Sequence, residues 1–285
     1  MNNVANNNFL GMCNSGLWCL APEYTIGIQH IVDQYKAMSM TDRLKLEAFL
    51  NPVSPTNNTV QQGELSYQMV GNTMVYPIIG QLVPKINDPF IRYMGFISTL
   101  DIIADLEDIF SSNIASSIDR VIFYISGPGG VLTGIPELAN LIYRIGKSVE
   151  TIGFADNVMA SAHYYIGSAT NKLISTRSAI VGSIGVIREV TKFNRLGENT
   201  ILFTEGEYKA AGHPAKSLDM REMLFFKELV SAAFAEMVAD ISKYRNKPKQ
   251  EIIDTQGAFI QASMNEWFVD GMVNSFNELI LQKQS

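Results

Sequence analysis

The sequence predicts an α/β fold with a largely parallel sheet, and three observations support this prediction. Residues 120–125 form a continuous apolar run, as a strand buried on both faces does. An amphipathic helix is predicted before this run, at 97–112, and another helix follows it at about 133–146. A further strand is predicted at 149–154. Strands and helices that alternate at this spacing are typical of repeated βαβ units.

Shorter patterns extend this prediction along the chain. Gly71-Asn72 separates two β-like segments, 66–70 and 73–79, and such a dipeptide indicates a hairpin. A long helix at 218–244 should end by about Asn246, because Pro248 disfavours a helical residue before it. The other predicted elements are a turn leading into a helix at 155–169, strands at 172–176, 180–187 and 200–203, and a last helix at 275–283.

The first 64 residues are predicted to be an N-terminal extension with a linker, and residues 65–285 the main domain. Residues 1–21 are Asn-rich and then apolar, which suggests a loose arm. Helical spacing at 23–36 and 41–50 predicts a helical extension. The segment 51–64 combines Pro, Asn, Thr and Gln, which is typical of a linker.

Composition excludes several classes of protein. The 285 residues have a net charge of −6 and no basic run, which argues against nucleic acid as the main partner. Cys13 and Cys19 lack a second ligand pair, so we expect two reduced thiols, no metal and no cofactor. No signal peptide and no stretch of about 20 apolar residues is found, so we expect a soluble protein made in the cytoplasm.

The first candidate for chemistry is the glycine-rich turn at 126–130, SGPGG, which follows the buried run. Ligands of open α/β sheets bind at the carboxyl ends of strands, and consecutive glycines let backbone N–H groups approach an anion. A tight strand–helix turn without a ligand would have the same sequence. A phosphate loop is excluded, because no Gly-Lys-Ser/Thr follows.

The second candidate is Ser161, which lies near the start of a predicted helix that Asp156 or Asn157 could cap. A hydroxyl there would benefit from the helix dipole and from free backbone N–H groups. Its neighbours Ala160 and Ala162 leave room for a substrate. A small residue that permits close helix packing is the alternative explanation.

A serine nucleophile needs a base, and the three histidines of the chain are poorly placed for this role. His30 lies in the extension, and His163 would point to a different face of the helix from Ser161. His213 lies in a Gly-Pro loop without an obvious carboxylate partner, which leaves a Ser-His-Asp triad open as a minor alternative. Lys209, in a loop of small residues, could serve if burial lowered its pKa.

Taken together, these segments resemble the signal peptide peptidase A family, in particular its phage capsid-assembly or head-maturation proteases. The resemblance extends from about Val75 to Asp270. The matching motifs, all in the family's order, are YPIIGQLVP, VIFYISGPGGVLTG, FADNVMASAHYYIGSATNKLIST, VGSIGVI, EYKAAGHP and QASMNEWFVDGMV. The family implies a Clp protease/crotonase-like fold and a Ser-Lys dyad.

Carried over by position, the resemblance implies that Ser161 is the nucleophile and Lys209 the base. Ser183, in GSIG, would help to hold the lysine. The backbone N–H groups of Gly129 or Gly130, and of Ala162, would form the oxyanion hole.

The chain departs from the family pattern at two places. Ser126-Gly127 stand where the family has Asn or Asp followed by Ser, which puts a side-chain role there in doubt. His163 replaces a usual small residue beside the nucleophile.

The resemblance further implies endoproteolysis of scaffold or capsid proteins during phage head assembly, by a homo-oligomer in the host cytoplasm or the prohead. Three alternatives remain: a soluble bacterial relative of signal peptide peptidase, an inactive structural assembly protein with the same fold, and a crotonase-like acyl-CoA enzyme. The last would need a carboxylate base beside SGPGG, and none is apparent.

Overall fold

A computed structural model describes residues 18–20, 66–87, 91–92, 94–190, 201–213 and 215–282, and for 18–20 it describes only the backbone. The predicted helices at 23–36 and 41–50 and the predicted linker lie outside the described residues, as do Cys13 and His30. The boundary between extension and main domain therefore stays a prediction.

A six-stranded sheet forms the centre of the described structure. Its strand order is β13-β10-β8-β6-β3-β2, with only the β2–β3 hairpin antiparallel. The strands are β2 (Gln68–Val70), β3 (Thr73–Ile79), β6 (Arg120–Ser126), β8 (Glu150–Ala155), β10 (Lys172–Thr176) and β13 (Gly271–Val273). Residues of β6 and β8 are almost all buried, which explains their continuous apolar sequence.

Two smaller sheets are formed by the short strands that continue from the central ones. One has the order β1-β7-β4-β5 and the other the order β12-β11-β9. Their strands are β1 (Trp18–Leu20), β4 (Gln81–Val83), β5 (Phe96–Ser98), β7 (Gly129–Val131), β9 (Val158–Ala160), β11 (Ile180–Gly182) and β12 (Phe259–Gln261). Both sheets therefore begin at the carboxyl ends of central strands.

Six helices cover these sheets in the described part of the chain. They are α1 (Thr99–Ser111), α2 (Ile135–Ile145), α3 (Ala162–Ser168), α4 (Met220–Arg245), α5 (Lys249–Ile253) and α6 (Phe276–Leu281). The long α4 begins with a capping box, in which Asp219 and Glu222 each bind the other's backbone N–H. It ends at Asn246, which adopts the left-handed conformation.

Arg120 ties the last helix to the central sheet at the amino end of β6. Its guanidinium donates hydrogen bonds to the carbonyl oxygens of Gln282 (2.9 Å) and Ile280 (3.1 Å), and to Thr73 Oγ1 (3.2 Å). This end of the sheet is opposite to the carboxyl ends of the strands, where the glycine-rich turn lies.

The α/β prediction with repeated βαβ units is confirmed, and the predicted hairpin, central strands and long helix are found with small changes at their ends. Three predictions are wrong in detail. The segment before α3 forms the strand β9, β11 ends at Gly182 rather than at residue 187, and residues 201–203 form no strand. Strand β1 was not expected in an arm predicted to be loose.

Candidate active site

Ser161 lies at the junction between β9 and α3, in a backbone conformation that residues other than glycine rarely adopt. Its φ is 58° and its ψ is −116°, and its N–H donates a hydrogen bond of 2.8 Å to the carbonyl oxygen of Gly182. The residue is 1% exposed, and Oγ has no hydrogen-bond partner among the described residues. A buried hydroxyl without a partner in a strained turn is typical of a functional position rather than of a packing residue.

Two neighbouring strands hold this turn. Strand β9 runs parallel to β11, with Ala160 paired with Gly182. Ser161 then occupies the N-cap position of α3, where Ala162 is the first helical residue and its amide has no acceptor within the helix. The expected cap by Asp156 or Asn157 is wrong, because the intervening β9 separates both residues from the helix. Asp156 instead accepts a hydrogen bond from the Tyr124 hydroxyl.

The glycine-rich turn lies directly beside Ser161. Gly127 donates its N–H to the Val158 carbonyl (2.6 Å) and accepts from the Ala160 N–H (3.2 Å), so the turn pairs with β9. A Cβ at Gly130 would lie 2.0 Å from the Leu82 carbonyl oxygen, so only glycine permits this approach of β7 to β4. The structure thus brings the two sequence candidates for chemistry together.

His163 connects the two segments. Its Nδ1 accepts a hydrogen bond of 2.9 Å from the Gly129 N–H, and the imidazole is completely buried. Burial lowers the pKa of His163 to about 3, and the facing Gly80 carbonyl only partly offsets this effect. The imidazole is therefore neutral, as an Nδ1 acceptor must be. Of the backbone N–H groups expected in an oxyanion hole, that of Gly129 is thus occupied.

The two departures from the family pattern occupy the same space. A Cβ at Gly127 would lie 2.4 Å from Cε1 and 2.6 Å from Nε2 of His163. The same Cβ would also lie 2.5 Å from the Gly80 carbonyl oxygen, so no side chain fits at residue 127 in this structure. The imidazole beside the nucleophile and the Gly80 backbone thus both exclude a serine side chain at this position.

Lys209 makes no hydrogen bond with the Ser161 hydroxyl in this structure. It is exposed, in a turn where its N–H donates to the Gly206 carbonyl (3.2 Å). Ser183 is buried close to the nucleophile, since it follows Gly182, and its φ of 54° is also in the left-handed region. His213 uses Nδ1 to accept from the Ala215 N–H (3.2 Å) within its own loop. The catalytic roles of these residues stay predictions.

The described residues include no group of three or more His, Cys, Asp or Glu side chains that could hold a metal ion. In the same part of the chain, no helix combines the length and the apolar character that crossing a membrane requires.

Residues 129–267 match the model of Peptidase family S49. The matched range begins at Gly129, in the glycine-rich turn, and includes Ser161, Ser183 and Lys209. This confirms the resemblance to the signal peptide peptidase group. The parallel sheet with its strand–glycine turn–helix unit agrees with the Clp protease/crotonase-like fold that the resemblance implies.

Similar curated proteins come from phages and from bacteria. Capsid assembly protease C of Escherichia phage lambda is 25% identical over 91% of this chain and 59% of its own length. The head-tail preconnector protein GP5 of Enterobacteria phage P21 is 22% identical over 73% of this chain and 42% of its own length. Probable protease SohB of Haemophilus influenzae is 29% identical over 41% of this chain and 35% of its own length. The chain thus spans about half the length of these relatives.

Proposed function

We propose that this chain is a serine endopeptidase in which Ser161 is the nucleophile and Lys209 the general base. The observation that supports this most directly is the state of Ser161. Its hydroxyl is buried, has no partner among the described residues and lies at a helix N-terminus, in a backbone conformation that the Gly182 carbonyl helps to hold. Such an arrangement costs stability, and nucleophiles are where proteins tolerate that cost.

In the proposed reaction, neutral Lys209 takes the proton of Ser161, and the oxygen attacks a peptide carbonyl. The N–H groups of Ala162 and of the glycine turn stabilise the oxyanion, Gly130 or Gly129 being the donors. Gly129 would have to exchange its hydrogen bond with His163 for one with the oxyanion. Lys209 returns the proton to the leaving amine, and water hydrolyses the acyl-enzyme. Ser183 would help to hold the lysine, since it lies one residue beyond the acceptor of the Ser161 N–H.

The exposure of Lys209 requires a further element, because a lysine base needs a lowered pKa and hence burial. We propose that a second copy of the chain covers it. Two large apolar side chains that precede it in the same segment are exposed, Phe203 at 91% and Ile201 at 76%. Tyr208 stacks on Phe225 of α4 with ring centroids 4.4 Å apart, so this segment lies against the start of that helix. There, Met220, Met223 and Leu224 are also exposed. We use the term apolar patch for the five exposed apolar side chains of this region, which are Ile201, Phe203, Met220, Met223 and Leu224.

The proposed substrates are scaffold or capsid proteins that are cut during phage head assembly, in the host cytoplasm or within the prohead. The names and the extent of the two phage relatives favour this choice. A soluble bacterial protease of the SohB or signal peptide peptidase type is the second candidate, and it is supported by shorter matches.

An inactive structural assembly protein is favoured by two observations: the Gly129 amide is occupied, and Lys209 is exposed. Labelling with a serine-reactive fluorophosphonate separates this alternative from the protease. Intact-mass measurement should show one adduct on the wild type and none on Ser161→Ala. Ser175→Ala is the matched control, since Ser175 is also fully buried and its Oγ has no partner in the described structure. Labelling that persists in Ser161→Ala, or that the wild type lacks, contradicts the proposal.

The role of Lys209 is tested by the rate of the same labelling. Lys209→Ala should label at least about 100-fold more slowly, the usual range for loss of a general base. Lys227→Ala, which removes another exposed lysine, should label at the wild-type rate. Equal rates for Lys209→Ala and wild type would exclude Lys209 as the base.

Association of copies is tested by diluting the protein. If a second copy buries Lys209, the labelling rate and the mass in light scattering should fall together, and Phe203→Glu should lower both. Leu281→Glu is the control, because Leu281 is 80% exposed at the opposite end of the sheet. A monomer that labels at full rate would refute the covering role of a second copy.

A further inference from the structure

Strand β7, which begins at the glycine turn, has neighbours on both sides in the described structure. On one side it pairs with β4, with Leu82 opposite Gly130. On the other side the N-terminal strand β1 runs antiparallel, with Trp18, Cys19 and Leu20 opposite Val131, Gly130 and Gly129. A segment more than a hundred residues away in the sequence therefore covers the outer edge of β7.

The outer edge of β7 leads directly to the candidate nucleophile. Its first residue, Gly129, contacts His163, which lies two positions after Ser161. Antiparallel pairing places the carboxyl end of β1, Leu20, at this residue. Strand β1 thus runs along β7 toward the end at which Ser161, the candidate nucleophile, lies.

An extended peptide that adds to an exposed strand edge is a general mode of peptide recognition. Without β1, the N–H and C=O groups on the outer side of β7 would be unpaired, and they could bind another extended chain in the same way. A substrate bound there in the direction of β1 would present its scissile carbonyl near Ser161 and the glycine N–H groups. The edge that a substrate needs is the edge that β1 covers.

We propose that the outer edge of β7 binds the residues of the substrate that precede the scissile bond, and that Trp18–Leu20 occupies this edge as an internal competitor. This inference rests on the proposed peptidase function. A substrate must displace β1 before it can bind. Because the competitor is part of the same chain, its effective concentration is in the millimolar range. If the segment of β1 binds the edge with a dissociation constant of about 0.1 mM, it weakens the binding of an added peptide about tenfold.

The test measures binding of a labelled peptide with the sequence of residues 15–22, with serine in place of Cys19, to full-length protein carrying Ser161→Ala. In a strand, successive N–H groups point to opposite sides, so proline at one of two adjacent positions removes a hydrogen bond of the ladder. We therefore compare Cys19→Pro and Leu20→Pro, with Ala5→Pro as a control outside β1.

We expect at least one of Cys19→Pro and Leu20→Pro to bind the peptide about tenfold more tightly than the parent, as measured by fluorescence anisotropy. Ala5→Pro should bind as the parent does. The inference is overturned if both strand variants bind like the parent, or if Ala5→Pro strengthens binding equally.

The outcome is independent of catalysis, because Ser161→Ala removes the nucleophile. If the strand variants strengthen binding but the wild type is not labelled by the fluorophosphonate, only the proposed function fails. If the wild type is labelled but the strand variants change nothing, only the competitor role of β1 fails.

Discussion

The buried imidazole of His163 should make the stability of this protein strongly dependent on pH. In the unfolded chain a histidine has a pKa of about 6.5. In the folded protein burial lowers the pKa of His163 to about 3. Between these values the unfolded chain binds a proton that the folded protein does not. Stability is therefore complete above pH 6.5 and is lost as the pH falls toward 3.

The size of this effect follows from the two pKa values. Because one pKa unit corresponds to about 1.4 kcal/mol, the two pH units from 6.5 to 4.5 cost about 3 kcal/mol. The variant His163→Asn isolates this contribution, because an amide oxygen can accept the Gly129 hydrogen bond and does not titrate. The smaller side chain leaves a cavity, but the cost of the cavity is the same at each pH.

The assay is urea unfolding of the wild type and of His163→Asn at pH 7.5, 5.5 and 4.5. We expect the difference in the free energy of unfolding between the two proteins to change by about 3 kcal/mol across this range, to the disadvantage of the wild type. At pH 5.5 about half of this change should be present. A difference that stays constant with pH would show that the imidazole is accessible to protons in the folded protein, and would refute this explanation.

Three further predictions concern stability measured by urea unfolding. Gly127→Ser should cost about 1–3 kcal/mol, because its Cβ would lie 2.4 Å from Cε1 of His163 and 2.5 Å from the Gly80 carbonyl oxygen. Adding His163→Ala should restore only the part of the loss that the imidazole causes, and strictly additive effects would contradict a contact between residues 127 and 163. Ser161→Gly should be about 1 kcal/mol more stable than Ser161→Ala, because glycine adopts a φ of 58° without strain. Equal stabilities of the two variants would show that the backbone at residue 161 is not strained. Asp219→Ala should cost about 1 kcal/mol through loss of the capping box with Glu222, whereas Asp219→Asn should keep most of the stability. An alanine variant as stable as the wild type would show that the cap contributes nothing.

The sequence predicted the central sheet well because its strands are marked by strong local signals. Continuous apolar runs such as 120–125 can be buried on both faces, and the hairpin turn at Gly71-Asn72 is specific. The three-residue strand β9 was missed because its residues also fit the start of a helix. Strand β1 was missed because its pairing partner lies more than a hundred residues away, and no local pattern records such a contact.

The candidate site was predicted in part. Ser161 and the glycine turn are found side by side, since both follow the carboxyl ends of neighbouring parallel strands. The contact of His163 with Gly129 could not be predicted, because it depends on the tertiary approach of two segments. The exposed position of Lys209 is likewise a property of the folded surface, and a loop of small residues does not specify whether it is covered.

The clamp that Arg120 forms on the carbonyls of Ile280 and Gln282 has a practical consequence for fusion proteins. It holds the end of α6 at the amino end of β6, whereas the glycine turn follows the other end of this strand. Seven residues of strand correspond to about 20 Å. A reporter peptide fused after residue 285 therefore needs at least about six extended residues between residue 282 and its cleavage sequence, residues 283–285 included, before this sequence can reach Ser161 of the same molecule. Reporters with shorter spacers would be cut only by another molecule, so a series of spacer lengths distinguishes the two routes of cleavage.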